Sequence, residues 1–507
     1  MPDIPHMTPD QFRCQADRLL DWAQQYWDSL EQRNVTPQGG PGSVLAALPD
    51  RAPERTPDAD SEWDAIRDDL DRIIAPNLLH WQSPRYFGYF PCNASGAGTL
   101  GILAAAVFNV NGMLWATSPA ATELETRLLD WCAHAFGLPD RFLSTRDSRQ
   151  SEAKRWGGSA GRSGGGGGCI QGTASESTLV AMLAGRDRAR HAGAPIDRLR
   201  VYTSDQAHSS VIKAAMIAGL ALGPDDRSQI RLIPTDHAGA MRPDALRDAM
   251  ADDLDAGAVP CSVTATLGTT GTEGVDPLPA IADVIDALCP DPKPWLHVDA
   301  AYTGAALICP EFRHLADGMD RADSLCLNPH KWLLTNFDCD LFWTADRDAI
   351  TAALSLTPEY LRNEATDAGA VIDYRDWQIP LGRSFRALKL WFVLRHYGLE
   401  GLRSYIRNHV ALAESLEQRL DADPRFHLVG TRRTALVCFR MDSDGHTEAL
   451  VRALNARGRI FLSHTRFVVN GESRYVARVA VGAPRTEAAH VDECFQEIDR
   501  AATALLA

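Results

Sequence analysis

The 507-residue chain has no run of basic residues interleaved with aromatics. Lys and Arg total 51 against 66 for Asp and Glu, a formal charge of −15, so nucleic-acid partners and anionic membrane surfaces are disfavoured. The opening stretch "MPDIPHMTPDQFRCQADRLLDWAQQYWDSL" lacks the basic start and apolar run of a secretory signal. No segment approaches the apolar length of a membrane span. The 11 cysteines are scattered, with no C-x-x-C and no zinc-ligand spacing, so the expectation is reduced thiols, a cytoplasmic setting and no metal. Five glycines end the low-complexity stretch 149–168, but their spacing fits neither G-x-x-x-x-G-K-[ST] nor a strand followed by G-x-G-x-x-G. Composition predicts a mobile surface loop there instead.

What is present is ordinary for a globular protein, with 45% apolar and 23% charged residues. Thr8, Pro9 and Gln11 form a capping-box pattern that predicts a helix. Phe12, Leu19, Leu20, Ala23, Trp27 and Leu30 continue it on one face, and "SEWDAIRDDLDRIIAPNLLHW" repeats the period. Residues 1–95 are therefore expected to be a helical arm. Over 96–388, short apolar runs alternate with helical patterns, which predicts βαβ units and a mostly parallel sheet. Candidate strands are "RVYTS", "CSVTATL", "PWLHVD" and "SLCLN". Residues 389–507 mix "HVALAESLEQRL" with "TALVCFRM" and "RYVARVAV", an α+β domain. The fold class is α/β.

In such a sheet ligands bind beyond the carboxyl ends of the strands. Asp299 ends "PWLHVD" and is followed by the small Ala300 and Ala301, which leave room for something flat. Lys331, in "NPHKWLLTNFDCD", follows "SLCLN" closely. A lysine in an apolar setting usually snorkels, yet a dry site would lower its pKa and let its amine condense with a carbonyl. Thr173, Ala174 and Ser175 open a helix whose free N–H groups favour a phosphate, although an ordinary cap explains them equally well. His208 follows "RVYTS", where a ring can stack on an aromatic face or move a proton. Thr269 and Thr270 follow the next strand. Together an amine, a carboxylate, a helix N-terminus and a ring on strand-end loops suggest pyridoxal 5'-phosphate.

The segments "GCIQGTASESTLVAMLAGR", "SDQAHSSV", "TATLGTTGT", "WLHVDAAYTGAALICPEFRH", "NPHKWLLTNFDCD" and "YRDWQIPLGRSFRALKLWFVLRHYG" resemble the aromatic-L-amino-acid decarboxylases, group II pyridoxal-phosphate enzymes of the aspartate-aminotransferase-like fold (fold type I). The resemblance implies that Lys331 carries the cofactor as a Schiff base, that Asp299 bonds its pyridine nitrogen and that His208 stacks on its ring. It also implies that Ala174, Ser175 and Asn328 contribute to phosphate binding, with His330 beside the lysine, Thr270 near the cofactor and Ala301 against the ring's other face.

The same resemblance implies a homodimer with sites at the interface. Tyr89, Phe90, Pro91 and Cys92 would line the substrate side, joined by Asn111 to Met113 from the neighbouring subunit. Tyr360, in "TPEYLRNEATDAGAV", matches a proton-donating tyrosine. With His208 also present, decarboxylation to an amine is expected over the oxidative chemistry of the related aldehyde synthases. Gly382 resembles the aromatic enzymes, whereas histidine decarboxylases tend to carry serine there. Cys92 and Met113 replace a threonine and a phenylalanine of the mammalian enzymes, which weakens L-DOPA specificity and leaves tryptophan, phenylalanine and tyrosine open beside L-DOPA as expected substrates.

Overall fold

The computed structural model describes residues 6–54, 59–145, 165–356, 364–367, 371–469 and 471–507. Tyr360 and the stretch 149–164 lie outside the described residues. The chain begins with the helix Pro9–Ser29, closed at its start by the reciprocal Thr8 and Gln11 capping box. Further helical turns fill Ala59–Asp69 and run on to Asn77. No helix among the described residues is long and apolar enough to cross a membrane.

Among the described residues two sheets form. The larger runs, edge to edge, Gly167–Gln171, Asp340–Thr344, Ser324–Leu327, Trp295–Asp299, Val259–Thr266, Leu199–Ser204 and Ile230–Ile233. All neighbours are parallel except that Asp340–Thr344 runs against both of its partners. The four strands read from the sequence are its centre, and they are buried throughout except at the half-buried Arg200 and Val259, as the middle of a sheet covered on both faces should be. Because they are parallel, their carboxyl ends, carrying Ser204, Thr266, Asp299 and Leu327, meet on one edge. The helix Ala174–His191 crosses one face, packing Val180, Ala181 and Ala184 against Trp295, Cys326 and Phe342.

The smaller sheet orders Tyr86–Phe87, Phe461–Val469, Glu472–Ala480, Leu436–Arg440 and His427–Leu428. Its first strand comes from the N-terminal segment and pairs in parallel with Phe461 and Leu462, so that segment is more than a helical arm. The helix Gly96–Phe108 lies close along the helical stretch Ala387–Asp421, which is broken at Gly398: a Cβ on Gly101 would stand 2.6 Å from the Lys389 backbone.

The glycine run corrects the sequence reading. Gly167 and Gly168 are not loop but the buried start of a strand. A Cβ on Gly168 would meet the Trp343 ring at 2.9 Å, and one on Gly166 would stand 1.8 Å from the Arg141 carbonyl oxygen. Close approach requires these glycines, and composition alone does not distinguish that need from flexibility.

Candidate active site

The strand ends enclose a cavity of about 170 Å³ bordered by Phe90, Thr173, Ala174, Ser175, His208, Thr266, Gly268, Thr270, Asp299, Ala301, Tyr302, Asn328, His330 and Lys331. Drug-sized ligands occupy roughly 300–1,000 Å³, so this space suits one small ring with its substituents. The structure thus gathers every residue that the sequence assigned to the cofactor.

Each arrives by a short path from the sheet. Lys331 sits on the single turn Pro329–Trp332, which Asn328 and Pro329 start directly after the strand Ser324–Leu327. Its ammonium nitrogen lies 5.4 Å from the centre of the Phe90 ring, and burial lowers its pKa against the opposing pull of Asp299. Asp299 is buried, and its Oδ1 accepts the Ala301 N–H at 3.1 Å. His208 opens onto the cavity before the helix Ser210–Ile217. Its Nδ1 accepts the Ser210 N–H at 3.2 Å, which places the proton of the neutral ring on Nε2. The protein packed around the ring pushes its pKa down, with Lys331 adding to the effect and Asp299 opposing it. His330 is buried, takes the Cys339 N–H on Nδ1 at 2.9 Å and is pushed down to about 3, mainly by burial.

Three residues that the sequence reading passed over also border the cavity. Thr266 stands beside Asp299 in the sheet register, and its Oγ1 is buried without a partner. Tyr302 stacks on Phe90 with ring centres 3.8 Å apart. Gly268, at φ +90°, would drive a Cβ to within 1.9 Å of Thr303 Oγ1. The available signal was position, since Thr266 and Asp299 close adjacent strands.

Of the residues assigned to the substrate side, Phe90 alone borders this cavity. Tyr89 is exposed and stacks on Trp81 at 5.7 Å, and Pro91 packs against Gly482. Cys92 is half-buried, with its thiol pKa raised by burial. Met113 and Gly382 share a separate surface, tied together where Gly112 N–H donates to Arg383 O at 2.8 Å and Arg383 N–H to Asn111 Oδ1 at 3.0 Å. A Cβ on Gly382 would meet nothing within 4 Å.

The cavity's loose ends fit pyridoxal phosphate. Thr173 caps the Ala174 helix without using its side chain, which leaves the first N–H groups and the positive end of the dipole for an anion. Thr266 Oγ1 is buried without a partner. Asp299 would supply a carboxylate for a protonated ring nitrogen, and Lys331 would supply an amine for an aldehyde.

Residues 41–442 match the family described as pyridoxal-dependent decarboxylase conserved domain. The chain is 44% identical to tryptophan decarboxylase 2 of Oryza sativa subsp. japonica over 510 residues, covering 99% of this chain and 96% of that protein. It is 43% identical to phenylacetaldehyde synthase of Arabidopsis thaliana, covering 99% and 97%. The structure of Oryza sativa TDC with PLP and tryptamine superposes with a TM-score of 0.90 at 38% identity, covering 99% of this chain and 100% of that one.

Proposed function

We propose, from the premise that the chain belongs to the pyridoxal-dependent decarboxylase family and is a pyridoxal-phosphate-dependent amino-acid decarboxylase, that it converts an aromatic L-amino acid to its arylalkylamine and carbon dioxide. The observation that carries this reading is the convergence of Lys331, Asp299 and His208 on one cavity in a chain whose relatives are named for aromatic amino acids.

The bound cofactor supplies an aldehyde that condenses with amines and a cationic ring that accepts the electron pair left by departing carbon dioxide. Lys331 is the attachment point, and its lowered pKa keeps more of the amine neutral and nucleophilic. Asp299 holds a proton on the ring nitrogen. The Ala174 and Ser175 N–H groups and Asn328 would hold the phosphate, with Thr270 near the cofactor. His208 would cover one face of the ring, and Ala301 would leave space on the other. Tyr360 donates the proton that the substrate α-carbon takes up once carbon dioxide has left.

The aromatic side chain is drawn from tryptophan, phenylalanine, tyrosine or L-DOPA. Open space beside Gly382 supports a bulky group. We place that residue and Met113 in the neighbouring subunit's site, which makes the working unit a homodimer. The apolar helix Gly96–Phe108 supports this, since Leu100, Leu103, Val107 and Phe108 are each more than two-fifths exposed in the single chain. The match to phenylacetaldehyde synthase favours one rival reading, in which oxygen turns the product into an aldehyde. A panel of tryptophan, phenylalanine, tyrosine, L-DOPA and histidine, scored for amine, aldehyde and hydrogen peroxide, tests both. Amine from an aromatic substrate without peroxide supports the proposal. Turnover of histidine alone would sink the aromatic assignment, and stoichiometric peroxide would sink the amine.

A further inference from the structure

The strand Asp340–Thr344 carries a carboxyl that none of the chemistry above uses. Asp340 has no exposed surface. The antiparallel register Cys326↔Phe342 and Leu327↔Leu341 places Asn328 opposite Asp340 one step further on. Directly opposed residues point to the same sheet face with Cβ atoms roughly 4.5–5.5 Å apart. Asp299, paired with Cys326, shares that face, and the helix Ala174–His191 covers it. Ser177, in the first turn of that helix, donates its hydroxyl to Asp340 Oδ2. The other oxygen, Asp340 Oδ1, is buried without a donor, and so is Asn328 Oδ1 across from it. Each orphaned acceptor, buried away from water, is left with its desolvation uncompensated. One proton on Asp340, directed at Asn328, satisfies both.

We propose that Asp340 is a neutral carboxylic acid whose proton bridges to Asn328, a positioning residue that fixes the N-terminal turn of the Ala174 helix against the Asn328–Lys331 turn. Those are the two elements assigned to the cofactor's phosphate and aldehyde, so the proposal rests on pyridoxal phosphate occupying this cavity. The charged and titratable groups around Asp340 are Asp299 from two strands over in the same sheet, Glu176 from the covering helix, Lys331 from the short turn, Cys326 from the next strand and Cys339 beside it in the chain. Burial first, then the two neighbouring carboxylates, hold Asp340 well above the usual carboxylate range, with Ser177 and Lys331 opposing.

The test compares the holoenzyme with Asp340→Asn and Asp340→Leu. An asparagine is the uncharged mimic: its amide N–H donates to Asn328 and its oxygen accepts from Ser177. Asp340→Asn is expected to keep cofactor affinity within about threefold of wild type and to leave unchanged the pH at which the cofactor's visible band shifts, because no charge is removed. Asp340→Leu is expected to weaken cofactor retention about tenfold or more. Infrared spectra of the wild-type protein at about pH 8, where an ordinary carboxyl is ionised, are expected to contain a protonated-acid carbonyl stretch that Asp340→Asn lacks. A shift of about one pH unit in the visible band of Asp340→Asn, cofactor loss equal to that of the leucine variant, or no protonated-acid stretch would each overturn the proposal. If the leucine variant does not fold, the asparagine variant and the wild-type spectrum still decide. Failure of the cofactor assignment itself would appear separately, as a wild-type protein with no visible cofactor band.

Discussion

At the scale of single residues, electrostatics sets the expectations. Asp299 is a buried carboxylate aimed at a cavity that also holds Lys331. Asp299→Asn keeps the shape but removes the charge that holds a ring proton, so kcat/KM is expected to fall by about 10²-fold or more, as for loss of a preorganised electrostatic group. Steady-state rates with added cofactor measure it. Buried histidines set the response to acid. His297 and His409 are each pushed down to about 4, chiefly by burial, while unfolded imidazole titrates near ~6.5. At these two sites the unfolded chain therefore binds more protons between about pH 4 and pH 6.5, and their contribution to stability rises with pH across that window, while the raised carboxyls of Asp276 and Asp340 act in the opposite direction. The histidine contribution is fully present above the unfolded value and is lost as pH falls through 4. Thermal melts of wild type and His409→Phe from about pH 7 to pH 4 should isolate that contribution, the wild type losing more stability on acidification than the variant. The same replacement loses the 3.0 Å bond from Trp332 Nε1 and so lowers the neutral-pH plateau.

Elements explain what could be read in advance. The central strands were legible because short runs rich in β-branched and apolar residues alternate with helical patterns, and the first helix was legible because Thr8, Pro9 and Gln11 spell its cap. Lys331, Asp299 and His208 stood out because chemical residue types followed those strands. The edge strand Gly167–Gln171 was not legible, since its glycines answer to the Arg141 carbonyl and the Trp343 ring, both distant in sequence. Gly166→Ala forces a side-chain carbon into backbone and is expected to cost about 1–3 kcal/mol, read from urea unfolding. Glu273 was equally hidden. It adopts a left-handed backbone at φ 61° and is buried, accepting from Thr303 at 3.1 Å, Arg433 N–H at 3.1 Å, Thr434 N–H at 2.9 Å and the Thr434 hydroxyl. It thereby ties the loop that carries Thr270 to the start of the Leu436–Arg440 strand, a tertiary fact with no local pattern.

For the whole molecule the proposed account requires two subunits to build each site, because Met113 and Gly382 sit away from the Lys331 cavity of their own chain. Gly382→Phe meets open space in its own protomer and is expected to fill the partner's substrate pocket, whereas Lys331→Ala disables its own. Mixed and reassembled, these two inactive variants should regain about a quarter of wild-type activity, since half the dimers are mixed and each then holds one intact site. No recovery, with subunit exchange verified by mass, would refute the shared site.

The central claim is non-oxidative decarboxylation of an aromatic amino acid at Lys331, and the balance of products tests it most directly. Holoenzyme supplied with the best aromatic substrate is followed for carbon dioxide, amine and hydrogen peroxide together, with Lys331→Ala as control. The expected result is equal amounts of carbon dioxide and amine, no peroxide, and neither product from the variant. Carbon dioxide released with aldehyde and peroxide in place of amine, or turnover that survives loss of Lys331, would contradict the account.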